Sequence, residues 1–188
     1  MESKLILFCG PSGSGKTSIV KHLLEKFPQL CFSISATTRA IRKNEEDGKD
    51  YYFISIEEFH KRIRNDEFLE WEEVYEHGYY GTLRSEVDRI AKLGKVAIFD
   101  VDVEGGIHIK GRYHEHLLDV FVRPPELADL RKRLVARASE TEQTLEHRIH
   151  KAEHELTFHN RFSKVLINAD LKVAGQDAEK LVIDFLGI

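Results

Sequence analysis

The chemistry-bearing stretch of this 188-residue sequence is Gly10-Pro11-Ser12-Gly13-Ser14-Gly15-Lys16-Thr17. It fits G-x-x-x-x-G-K-[ST], a phosphate-cradling loop. Glycine backbone can turn tightly and bring N–H groups close to phosphate oxygens, and a helix N-terminus adds partial positive charge. In such a loop Lys16 reaches the β- and γ-phosphates and the Thr17 hydroxyl ligates Mg²⁺. The alternative is a Gly/Ser-rich turn whose lysine points to solvent. Context separates the two. Leu5-Ile6-Leu7-Phe8-Cys9 is a short apolar run that reads as a buried parallel strand. Beyond the loop, Ile19, Val20, Leu23, Leu24 and Phe27 recur at helical spacing as far as Pro28. Strand, loop and helix together make Gly10 to Thr17 a nucleoside triphosphate site.

Other groups invite a chemical reading. Arg39 and Arg42 stand three apart in the polar stretch Ser35–Arg42, and Asp100 ends the apolar run Lys95–Phe99. Open α/β sheets present ligands at the carboxyl ends of their strands. Asp100 is thus a candidate near metal and phosphate, with a strand-end carboxylate accepting loop N–H bonds as the alternative. Cys9 and Cys31 lie in apolar runs and read as buried, reduced thiols. His147, His150 and His154 share a helix face among charged neighbours, a solvated face rather than a ligand set.

The elements that must position these groups alternate strand-like and helix-like along the chain, which predicts an α/β fold with a mainly parallel sheet. Strands are expected at 31–34, 51–54, 68–75, 95–100, 117–122 and 165–167. Helices are expected at 56–63, 84–92, 126–136, 142–161 and 178–186, and Gly78–Thr82 reads as a turn. Residues 35–92 break the rhythm with short mixed strands and aromatics, as an inserted substrate-binding lobe would. The Arg-rich stretch from Arg131 to Arg148 reads as a flap. Hydrophobic content of 41% and charged content of 32% are those of an ordinary globular protein. A formal net charge of −4 argues against general affinity for nucleic acid or an anionic membrane. The N-terminal apolar run is too short for a signal peptide and no segment is long enough to span a bilayer, so a cytoplasmic protein is expected.

Taken in order, the motifs resemble those of the guanylate kinases over nearly the whole chain. They are G-P-S-G-S-G-K-T at Gly10–Thr17, S-A-T-T-R-A-x-R at Ser35–Arg42, G-K-D-Y-Y-F at Gly48–Phe53 and E-F-L-E-W at Glu67–Trp71. Y-Y-G-T at Tyr79–Thr82, F-D-V-D at Phe99–Asp102, R-A-S-E-T-E at Arg137–Glu142 and I-N-A-D at Ile167–Asp170 follow. The resemblance implies a P-loop NTPase-type parallel sheet flanked by helices, with an inserted mixed α/β GMP-binding lobe and a small helical lid. Its boundaries would be about 1–34, 93–125 and 160–188 for the core, 35–92 for the lobe and 126–159 for the lid. It also implies ATP and Mg²⁺ as cofactors, with GMP, and dGMP as a further possibility, as acceptor. No nucleic acid, membrane or obligate protein partner is implied.

Within that resemblance, Arg39 and Arg42 would clamp the GMP phosphate through bidentate charge-assisted bonds, with Tyr51 and Tyr80 adding phenolic donors. A solvated basic loop and a half-buried aromatic pair are the alternatives. Guanine offers N1–H and a 2-amino group, two adjacent donors that a carboxylate can accept together. Glu70 and Asp102 stand where the family places such acceptors, and Ser35 and Thr82 match its hydroxyl positions. On the residues alone, Glu70 is also the polar face of an alternating strand. Asp100 would serve Mg²⁺, through a bound water, or GMP. The loop residues Gly10, Pro11, Ser12, Gly13, Ser14, Gly15, Lys16 and Thr17 would hold ATP, with Asn168 in the adenine-contacting loop.

The implied reaction needs no protein nucleophile or general base, because the acceptor phosphate oxygen is already ionised near neutral pH. Lys16, Mg²⁺, Arg42, Arg137 and Arg148 would supply the compensating positive charge. Departures from the family are Ala136-Arg137-Ala138-Ser139-Glu140 for G-R-G-T-E, Val103-Glu104 for Met-Gln, and Ala169 beside Asn168. A related interaction module without catalysis would have no need of Lys16, Thr17 or the lid arginines. A kinase acting on a different phosphorylated acceptor would have no need of Glu70 and Asp102.

Overall fold

The structure, a computed structural model, describes residues 4–137 and 142–188, with side chains at all of these but Tyr75, Ala136, Arg137, Glu142, Gln143 and Thr144. Its centre is β1 (Leu5–Cys9), buried at every residue. Around it a five-stranded parallel sheet runs in the order β2-β7-β1-β8-β9, where β2 is Leu30–Phe32, β7 Val96–Asp100, β8 Leu117–Arg123 and β9 Lys164–Ile167. Side chains alternate between the faces of a strand, and the two faces build two cores. Ile6, Phe8, Ile98, Val120 and Val122 meet Ile19, Val20 and Leu23 of α1 (Lys16–Lys26) and Ala174, Ala178 and Val182 of α7 (Leu171–Leu186). On the other face Leu5, Leu7, Cys9, Phe99 and Phe121 meet Ile90 of α3 (Arg84–Lys92) and Val103 and Ile109 of α4 (Val103–Tyr113). Each fully buried Leu, Ile or Phe contributes roughly 1.5–3 kcal/mol, so this two-sided burial fixes where β1 ends and the phosphate loop begins.

A second sheet, of order β4-β3-β6-β5, comprises β3 (Ser35–Thr37), β4 (Tyr52–Phe53), β5 (Phe68–Tyr75) and β6 (Gly78–Leu83). Helix α2 (Ile56–Arg64) closes its core, with the Phe59 ring stacked on Phe68 at 4.4 Å. Helices α5 (Leu127–Arg137) and α6 (Glu142–Leu156) pack through Leu130, Leu134, Ile149 and Ala152. Among the described residues no helix is long and apolar enough to cross a membrane.

Several local expectations are corrected. Gly78–Thr82 is not a turn but part of β6, paired to both β3 and β5. The reversal lies just before it, at His77, which adopts φ 62°. Gly81 marks close backbone approach instead: a Cβ there would come within 2.8 Å of the Glu70 carbonyl oxygen. Ser35–Thr37, read as part of a polar loop, is the strand opposite β6. Helix α4 went unread because Gly105 and Gly106 interrupt its apolar period. Its start is set by Asp102, which accepts from Gly105 N at 2.8 Å. Helix α7 starts at Leu171 rather than Ala178, because the Asp170 carboxylate caps Lys172 N and Val173 N at 2.9 and 3.0 Å. The helix expected to reach Arg161 stops at Leu156, and Thr157–Arg161 is a 3-10 turn. Cys9 is buried, with its thiol pKa pushed up by burial, but Cys31 is only partly so.

Candidate active site

The loop between β1 and α1 is folded tightly over its own lysine. Lys16 Nζ donates to Gly10 O at 2.6 Å and Pro11 O at 3.2 Å. Gly15 has φ 95°, and a Cβ there would lie 2.2 Å from Asn168 Nδ2, so both its conformation and its neighbour demand glycine. Asn168, at the end of β9, donates to Ser14 O at 2.8 Å. Arg133 of α5 reaches the same carbonyl at 3.4 Å and Asn168 O at 2.7 Å. Arg148 of α6 donates to Ser12 Oγ at 2.8 Å. Gly10 to Thr17 are thereby brought together with Asn168 and Arg148. The side chain of Arg137 lies outside the described residues, as do Ala138–Thr141.

Thr17 lies in the first turn of α1 and Asp100 ends the neighbouring β7, and the Thr17 hydroxyl donates to Asp100 Oδ2 at 2.6 Å. A hydroxyl and a carboxylate beside a phosphate loop are hard oxygen donors. They fit Mg²⁺, which takes one or two protein oxygens and completes its shell with phosphate and water. Among the described residues no group of three or more His, Cys, Asp or Glu forms a metal cage. A cavity of about 380 Å³ connects this corner to the second sheet, lined by Thr17, Asp100, Ser35, Glu45, Tyr51 and Phe32.

Across that cavity sits Arg39. Its terminal nitrogens donate to the two Glu45 carboxylate oxygens at 2.6 Å each, and its Nε donates to Tyr80 Oη at 3.1 Å. The guanidinium stacks over the Tyr51 and Phe53 rings at 5.0 and 5.4 Å. Glu45 Oε2 also accepts from Arg42 N at 2.9 Å, while the Arg42 residue itself is exposed. The hydrogen bonds from Arg39 hold the Glu45 carboxyl down to about 2, with Arg42 N–H adding to them. Arg39, Tyr51 and Tyr80 thus form one cluster with Arg42 at its rim.

The third cluster is acidic. Glu70, Thr82 and Ser35 lie side by side across β5, β6 and β3, since Thr82 pairs with both others. The Thr82 hydroxyl donates to Glu70 Oε1 at 2.5 Å. From the N-cap of α4, Asp102 converges on the same point: a Cβ on Gly105 would sit 2.9 Å from Glu70 Oε2 and 3.2 Å from Asp102 Oδ1. Burial pushes the Glu70 carboxyl up to about 7. The Thr82 hydrogen bond opposes that rise and the Asp102 charge adds to it. Burial also pushes Asp102 up, but its contacts with Glu72, Gly105 N–H and Lys151 outweigh this and leave it below the usual range. Glu45, Glu72, Arg133 and Lys151 were missed in the sequence. An acid three residues after Arg42 was the only available signal for Glu45, and the others are joined by tertiary contact alone.

A family model described as guanylate kinase matches residues 2–184. The chain is 49% identical over 187 residues to a guanylate kinase of Bacteroides fragilis (strain ATCC 25285), covering 100% of this chain and 92% of that protein. It is 42% identical to the guanylate kinase of Thermotoga maritima, covering 99% of this chain and 87% of the relative. The crystal structure of guanylate kinase from Anaplasma phagocytophilum superposes with a TM-score of 0.74 at 25% identity, over 97% of this chain and 85% of the other.

Proposed function

Because the chain belongs to the guanylate kinase family of nucleoside monophosphate kinases, we propose that it transfers the γ-phosphoryl group of ATP to GMP, giving ADP and GDP in the cytoplasm. The observation that carries the choice of acceptor is the convergence of Glu70 and Asp102 over Gly105, with Thr82 beside them. Two acceptor-only carboxylates suit the N1–H and 2-amino donors of guanine. Adenine would leave them desolvated and unpaired, which a site of this kind penalises heavily.

Residues 35–92 serve as the GMP lobe, 126–159 as the lid, and the remainder as the core. Arg39, Arg42, Tyr51 and Tyr80 take the acceptor phosphate, and Ser35 supports the base. Asp100 faces both substrates through the cavity. Lys16 leaves its carbonyl partners for the β- and γ-phosphates, while loop N–H groups and the α1 N-terminus hold the rest of the chain of phosphates. Arg148 with Arg137 adds positive charge from the lid side. Thr17 and Asp100 would hold Mg²⁺, which would supply charge neutralisation on the transferring phosphates. Catalysis is then alignment and charge compensation, without a covalent intermediate.

A coupled assay of ADP formation with ATP, Mg²⁺ and each nucleoside monophosphate tests this reading. GMP should give by far the highest kcat/KM. A rate with GMP no greater than with AMP, CMP or UMP refutes it.

A further inference from the structure

Lys151 has no part in the chemistry described so far, yet its amine sits at the meeting point of three carboxylates. It lies 2.8 Å from Glu72 Oε1, 3.7 Å from Asp102 Oδ2 and 3.9 Å from Glu155 Oε1. These belong to three elements: Glu72 to β5, Asp102 to the cap of α4, and Glu155 to α6 itself. Glu72 is two residues along the strand from Glu70, so both carboxylates emerge on one face of β5. The base pocket therefore concentrates Glu70, Glu72, Asp102 and Glu155, and a lysine with three N–H donors meets three of the four.

Glu72 and Asp102 also touch each other: burial and that contact push Glu72 up to about 7 while the contact draws Asp102 down, so without the cation the pair would depend on a shared proton. Asp102 is the less free of the two: its Oδ1 is committed to Gly105 N, and Oδ2 is the oxygen turned towards Lys151. The lysine thus fixes how Asp102 stands against Glu70. It also lies one helical turn beyond Arg148, the residue that touches Ser12 of the phosphate loop, so one face of α6 meets both substrate sites.

We propose that Lys151 is a positioning residue for guanine: by bridging Glu72 and Asp102 it aligns Asp102 with Glu70 for the base and ties the lid-side helix to the acceptor pocket. This rests on the guanylate kinase reading above.

The test is equilibrium binding of GMP alone and of ATP alone, by calorimetry, alongside KM for each substrate. Lys151→Met should weaken GMP severalfold, because two carboxylates only 27% and 29% exposed lose the cation they share, with ATP affinity held. Lys151→Arg should stay close to wild type. Adding Glu72→Gln to Lys151→Met should recover part of the loss, since the excess negative charge is removed. Should the methionine variant be unstable, Lys151→Gln carries the same expectation. Wild-type GMP affinity in the neutral variants, equal weakening of GMP and ATP, or no recovery in the double variant overturns the role. A wild-type protein without preference for GMP would instead bring down the guanylate kinase reading, and with it this one.

Discussion

Glu45 spans both terminal nitrogens of Arg39 at 2.6 Å while its Oε2 accepts the Arg42 amide at 2.9 Å. With Tyr80 on Nε and Ala40 O on Nη1, four of the five Arg39 donors are committed, and the guanidinium is fixed before any phosphate arrives. Glu45→Ala should raise KM for GMP about tenfold, the scale of losing one charge-assisted bidentate partner, with little change in KM for ATP. Steady-state kinetics with each substrate varied decides it, and an unaltered GMP KM removes Glu45 from the clamp.

Among the described residues, Lys16 donates to two carbonyls of its own loop. Lys16→Ala should leave the melting temperature nearly unchanged and lower kcat by about 10²–10³, typical of losing one preorganised charge-stabilising group. Turnover near wild type would remove its assigned role.

The Glu70 carboxyl, raised to about 7 by burial, gives two pH effects of definite sign. Guanine recruits the ionised form, so GMP binding should release a proton below about pH 7, and this part of the affinity should rise up to that pH. For the free protein the sign is opposite. Stability held by neutral Glu70 is complete below its ordinary value of 4.5 and is lost as pH rises through about 7. Calorimetry in buffers of differing ionisation enthalpy measures the proton release, and urea midpoints at pH 5 and 8 measure the stability. Glu70→Gln should abolish the proton release, reduce selectivity for GMP and shrink the stability change, whose remainder belongs to Glu72 and Glu155, also pushed up to about 7 chiefly by burial. Undiminished signals in that variant would assign them to another group.

Gly105 offers a separation of binding from stability. Alanine is the better helix former by about 1 kcal/mol, yet its methyl would press on Glu70 Oε2 and Asp102 Oδ1. Gly105→Ala should keep or raise the melting temperature while weakening GMP severalfold. Equal loss of fold and binding would show that the glycine serves packing alone.

The parallel sheet and its flanking helices were legible because their signals are local: β1 is five apolar residues, α1 has a clear period, and Gly10–Thr17 carries its chemistry in its spacing. β6 was misread because its glycines mark contact with β5, which no local pattern reveals. Helix α4 was missed because two glycines erase its stripe and its cap, Asp102, was read only for its chemistry. Arg39 could be proposed as a phosphate ligand from its type, but its pairing with Glu45 could not be read. Lys151 and Glu72, 79 residues apart, meet only through the packing of α6 and β5. The candidate site was readable where one segment supplies the group and unreadable where two segments must meet.

The sheet order also has a consequence for how the protein is made. Leu5 of β1 pairs with Ala97 on one side and Leu117 on the other, and Cys9 with Phe121. A growing chain therefore emits this fully buried strand before either of its neighbours and cannot flank it on both sides until β8 has left the ribosome. The phosphate loop, made well before its partner, is completed late, since Asn168 must also arrive to close on Ser14. Such long-range parallel pairing folds slowly and leaves an aggregation-prone strand uncovered. During synthesis the residues 5–9 are thus the segment a chaperone would have reason to hold.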